Sequence, residues 1–81
     1  MPGVFITPPL KPSLHVEIEY DVNNNPIYVG NAAPGTSVSE SRWRIMRITY
    51  DAMNNPLSTM WAEGNSNFDK VWTSRASYSY S

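Results

Sequence analysis

The sequence predicts an all-β fold: a small antiparallel sheet of about five strands, curled as a barrel or sandwich, built on two hairpins and preceded by an extended Pro-rich N-terminal arm. Three observations predict it. Tyr20-Asp21-Val22-Asn23-Asn24-Asn25-Pro26-Ile27 returns 30 residues later as Tyr50-Asp51-Ala52-Met53-Asn54-Asn55-Pro56-Leu57. Segments with period-2 alternation or β-branched and aromatic enrichment flank both copies. Asp and Asn favour such turns because their short side chains bond the backbone two residues on and tolerate positive φ, while Pro fixes φ for the returning strand.

The arm covers residues 1–13. Pro2, Pro8, Pro9 and Pro12 remove backbone donors and hold it extended, so it is neither helix nor central strand. Val4, Phe5 and Ile6 form an apolar plug inside it, which makes this arm a candidate contact with another protein. Residues 14–81 form a single β domain.

Leu14 to Tyr20 alternates cleanly, with Leu14, Val16, Ile18 and Tyr20 on one face and His15, Glu17 and Glu19 on the other, the pattern of a half-buried strand. Pro26 to Ala32 returns as a short strand through Ile27, Tyr28 and Val29. Ala33 to Ser41 contains Pro34-Gly35 and several Ser or Thr residues, which is loop composition, and Pro34 is a candidate contact. Arg42 to Tyr50 is a second long strand with apolar residues on both faces: Met46, Ile48 and Tyr50 on one, Trp43 and Ile45 on the other. Its second face must be covered by another layer or by another subunit, which singles out Trp43 as a candidate interface residue. Arg42, Arg44 and Arg47 are expected to pair with Glu17 and Glu19 across strands.

Leu57 to Ala62 closes the second hairpin, and Gly64 stops it. Asn65 to Trp72 can hold one or two helical turns, since Phe68, Val71 and Trp72 stand at i, i+3 and i+4. Trp61 and Trp72 bracket the Gly64 turn and are expected to pack on each other. Trp72 to Ser81 alternates again and is expected to be a terminal strand whose aromatic edge, with Tyr78 and Tyr80, contacts neighbours.

Composition narrows function by exclusion. A chain of 81 residues buries only about 60–65% of the surface its unfolded form exposes. It has no Cys, so no disulfide or thiolate metal site supports its thin core, and stability must come from the β packing, from oligomerisation or from docking on a partner. Six Lys plus Arg against seven Asp plus Glu give a net charge of −1, which argues against electrostatic binding of nucleic acid or of a membrane surface. No apolar run approaches a membrane span or a secretory leader, and synthesis in a reducing cytoplasm is expected.

Catalytic constellations are scarce. His15 is the single His, and beside Glu17 and Glu19 it reads as a surface residue. Asp21-Val22-Asn23-Asn24-Asn25 resembles the opening of a calcium loop, but Pro26 stands where that loop needs Gly and Ala32 where it needs a bidentate Glu. No catalytic residue, cofactor or metal is expected. Trp43, Trp61 and Trp72 leave one alternative, a carbohydrate-binding β module stacking host-surface glycans on exposed indoles; the simpler account is that aromatics fill a thin core.

The tract Pro26-Ile27-Tyr28-Val29-Gly30-Asn31-Ala32-Ala33-Pro34-Gly35-Thr36, then Trp43-Arg44-Ile45 and Ile48-Thr49-Tyr50-Asp51, resembles small proteins encoded among the structural genes of tailed bacteriophages. The similarity continues through Trp61-Ala62-Glu63-Gly64-Asn65, Phe68-Asp69-Lys70-Val71-Trp72 and Arg75-Ala76-Ser77-Tyr78-Ser79-Tyr80-Ser81, so it covers residues 17–81 and leaves the arm outside. It implies a non-enzymatic virion component, made in the host bacterial cytoplasm and present in many copies or as a homo-oligomer. Its partners would be other virion proteins: capsid, portal or adaptor, or tail-fibre proteins. The corresponding roles are capsid decoration or cement, head-to-tail joining, or tail-fibre attachment.

Overall fold

In the computed structural model, which describes residues 14–81, the duplicated turns have the same internal chemistry. Strands β1 (His15–Tyr20) and β2 (Pro26–Ala32) are joined by a turn in which Asp21 Oδ1 accepts the backbone N–H groups of Asn23 at 2.8 Å and Asn25 at 3.0 Å. Strands β3 (Ser41–Tyr50) and β4 (Pro56–Trp61) repeat the device, with Asp51 Oδ1 accepting from Met53 and Asn55, both at 2.9 Å. Asn24 and Asn54 take positive φ, 63° and 65°. Asn tolerates that conformation better than most residues with a Cβ. Each turn ends in a one-residue irregularity, between Glu19 and Tyr20 and between Thr49 and Tyr50, which sets Tyr20 opposite Pro26 and Tyr50 opposite Pro56.

The four strands run β1-β2-β3-β4, each antiparallel to the next, and a fifth, β5 (Lys70–Val71), pairs with the first residues of β3. β3 is central because its ten residues serve three partners: β2, β4 and β5. The chain is therefore all-β with a five-stranded antiparallel sheet, as its pattern predicts. The sheet stays open and is not closed as a barrel.

One face of the sheet is covered by the chain's own C-terminal segment. The core consists of Ala32, Trp43, Ile45, Ala62 and Trp72, with Tyr28, Val38, Tyr78 and Tyr80 packed around it. Trp43 and Trp72 meet with ring centroids 6.0 Å apart, and Trp43 Nε1 donates to the Ser37 carbonyl at 2.9 Å, so the indole is buried with its polar atom satisfied. Lys70 is also buried; its Nζ donates to Asn65 Oδ1 at 3.0 Å and pairs with Asp69.

The C-terminus departs from expectation. Trp72–Ser77 is a 3₁₀ helix and not the start of a strand, and the helical turn expected over 65–72 lies here instead. Local bonds favour it: Arg75 Nη1 donates to the Trp72 carbonyl at 3.1 Å and Ser77 Oγ to the Ser74 carbonyl at 2.6 Å. Strand-like pairing survives only where Tyr80 bridges Ala62. Trp72 packs on Trp43 and not on Trp61, because the register puts Trp61 on the other side of the sheet. The expected arginine pairs also differ: Glu19 takes Arg75 at 2.8 Å, Arg42 lies 3.8 Å from Glu40, and Arg44 bonds Asn31.

Candidate functional site

The register arranges the side chains in rows that alternate between the two faces, since directly opposed residues share a face. Glu17, Gly30 and Ile45 form a row on the covered side. The next row reads Ile18, Val29, Met46 and Trp61, one residue from each of the four long strands and all apolar. Val16 with Asn31 and Arg44 lies beside it on one flank, and Ile48 with Thr59 on the other. Leu14 continues the period-2 series of β1. None of these side chains is buried: Leu14, Val16 and Ile18 are 42%, 46% and 40% exposed.

β1 thus faces its own domain with its polar side. The His15 ring meets Trp43 edge-on at 5.2 Å and bonds Glu17 at 2.8 Å, while Glu19 receives Arg75 Nε at 2.8 Å. The alternation identifies both faces of the strand correctly, yet the apolar one lies open. On an amphipathic strand the apolar side ordinarily faces the core, yet among the described residues nothing covers this face, whose central row has the composition of an interior.

Arg44 is the charged residue within the rows of the open face, and Arg42 follows it in the same alternation at the edge. Arg44 Nε donates to Asn31 Oδ1 at 3.3 Å, and its guanidinium lies over the rings of Phe68, at 5.0 Å, and Trp61, at 5.7 Å. The guanidinium is attracted by these π-faces and so is not an isolated cation. A smaller apolar feature sits at one end of the sheet. There the two hairpin tips are joined by Asn25 Nδ2 donating to Asn54 Oδ1 at 3.0 Å, and Val22 and Met53 are 96% and 81% exposed.

The residues singled out in the sequence fall in different places. Val4, Phe5, Ile6, Pro8 and Pro9 lie outside the described residues. Pro34 is exposed on the loop between β2 and β3. Trp43 is a correction: at 0% exposure it belongs to the core, because the C-terminal segment, and not another subunit, covers its face of β3. Tyr78 and Tyr80 are half-buried, and their hydroxyls are used internally, accepting from the Val71 N–H at 2.8 Å and donating to the Arg75 carbonyl at 2.7 Å. They anchor the C-terminal segment to the sheet. The open face was missed as a site, although its residues and their alternation are plain in the sequence.

A glycan platform of coplanar exposed indoles is not formed by the three tryptophans: Trp43 and Trp72 are in the core, and Trp61 is partnered by Arg44. Among the described residues, no three His, Asp or Glu side chains converge as a metal-binding group, and no helix is long and apolar enough to cross a membrane. No family model, no curated protein and no solved structure matches this chain.

Proposed function

We propose that this chain is a non-enzymatic virion structural protein of a tailed bacteriophage, a β module that works by docking its open sheet face on protein. The observation that carries the docking is the cross-strand row Ile18, Val29, Met46 and Trp61, flanked by Leu14 and Val16. Covering the open remainder of a Leu, Val or Ile in this setting is worth on the order of 1 kcal/mol. Several such side chains on a rigid sheet supply a binding surface without any loop having to order. The virion assignment rests on the sequence resemblance described above, and capsid decoration, head-to-tail joining and tail-fibre attachment are all compatible with a small module of this kind. Many weak contacts suffice in a repeating particle, because each tethered contact raises the effective concentration of the next.

The test is quantitative mass spectrometry of purified particles from the source of the sequence, comparing wild type with Ile18→Glu. The wild-type chain is expected at a fixed copy number, and the variant at less than about a tenth of it. Absence of the wild-type chain from particles overturns the virion reading. Equal occupancy of the variant overturns the docking role of the face.

A further inference from the structure

We infer that the partner on the open face is a second copy of the same chain, the two sheets packing face to face about a two-fold axis. This rests on the reading that the face docks on protein and names what it docks on.

Charge is the first argument. Surfaces that select a different protein ordinarily carry a charge pattern that the partner complements. The rows of this face hold no Asp, Glu or Lys; Arg44 already has Asn31, Phe68 and Trp61 as partners, and Arg42, next in the same alternation at the edge of the face, lies 3.8 Å from Glu40. A face whose central row is apolar and whose cations already have partners is complementary to itself, and a two-fold contact uses one patch twice.

Area is the second. Four strands about 4.8 Å apart, over some six residues rising about 3.3 Å each, make a patch of roughly 20 by 20 Å. Two such patches remove about 800 Å² before side-chain relief is counted, and relief carries the sum past the roughly 1,000 Å² of a specific interface. The third is architecture. Among the described residues the core on the covered side of the sheet is thin, with Ala32, Trp43, Ile45, Ala62 and Trp72 buried, and a second sheet about 10 Å away completes a sandwich on the other. The competing occupant is the chain's own residues 1–13, which join the sheet at Leu14, on the rim of this face.

Sedimentation equilibrium of the purified full chain decides between them. The expected species has twice the 9.1 kDa chain mass. Met46→Glu and Ile18→Glu are expected to raise its dissociation constant at least 100-fold, since each places two carboxylates in the contact, while Ser66→Glu, at an exposed loop position, leaves it unchanged. Near-ultraviolet circular dichroism of Trp43 and Trp72 reports whether each variant keeps its core.

A folded monomer at every concentration overturns the two-fold pairing. If that monomer still enters particles while Ile18→Glu does not, the docking reading stands without the pairing; if the wild-type monomer is absent from particles, the virion reading fails as well. A monomer that becomes a dimer only when residues 1–12 are deleted assigns the face to the arm and also overturns the pairing. So does an assembly of three or more chains dissociated by the same substitutions.

Discussion

Gly30 lies directly under the indole of Trp72: a Cβ built at position 30 would come within 2.5 Å of Cε3 of Trp72 and 3.1 Å of Cε3 of Trp43. The glycine is required here for space. It lets the C-terminal segment rest on the backbone of β2 and so lets the one covered face close. Gly30→Ala must therefore displace the Trp72 indole and press on that of Trp43, and overpacking of this kind costs about 1–3 kcal/mol. Urea unfolding followed by Trp fluorescence is expected to show a lower midpoint with an unchanged slope. An unchanged midpoint would mean that Trp72 is not seated on Gly30.

How far the fold was legible depends on which interactions are local. The Asp-Asn turns are, so both hairpins follow from the duplicated segment. The faces of β1 are also legible, because alternation separates Val16 and Ile18 from Glu17 and Glu19 whatever the environment. Alternation cannot say which face the rest of the chain will cover. That depends on where Trp72 lands, a long-range choice set by Gly30 and Trp43. The same limit misplaced Trp61. A one-residue irregularity beside a turn changes which residues face which, and with the one between Thr49 and Tyr50 in place, Trp61 stands opposite Met46 on the open side. The C-terminal alternation misled for another reason: Tyr78 and Tyr80 are spaced like a strand but are held by their hydroxyls, and short Ser and Arg bonds to carbonyls fold the preceding residues into a 3₁₀ helix.

Acid should weaken the second hairpin through Asp51. The Asn55 backbone N–H, helped by the Met53 N–H and the Asn55 side chain and opposed by partial desolvation, holds this carboxyl below its ordinary value of 3.8. Folding therefore favours the charged form. The resulting contribution is in place above the unfolded value and is lost as pH falls through the lower folded value. Asp51→Asn removes the titrating group, so the decline of the urea midpoint from about pH 5 downward is expected to be shallower in the variant than in wild type. Parallel declines would show that the turn does not depend on the ionised carboxylate.

Alkali should act through the C-terminal segment. Burial, reinforced by the neighbouring Tyr28 and Tyr78, pushes the Tyr80 hydroxyl up from 10.0 to about 12. Its O–H donates to the Arg75 carbonyl at 2.7 Å, a bond that only the neutral phenol can make. The folded state therefore prefers the protonated ring. Its contribution is complete below pH 10 and is lost as pH rises through about 12, where ionisation breaks the tie between the C-terminal segment and the 3₁₀ helix. Since that segment covers the core, its release should expose Trp43 and Trp72 together with the appearance of phenolate. The part of the phenolate absorbance that disappears in Tyr80→Phe, obtained by subtracting the variant's titration from that of wild type, is expected to coincide with the wild-type Trp fluorescence transition. Tyr80→Phe keeps the ring against Tyr28, loses the hydroxyl, and should flatten stability between pH 10 and 12 while lowering it at neutral pH by about 1 kcal/mol. An unaltered alkaline transition in that variant would assign the loss of structure to another group.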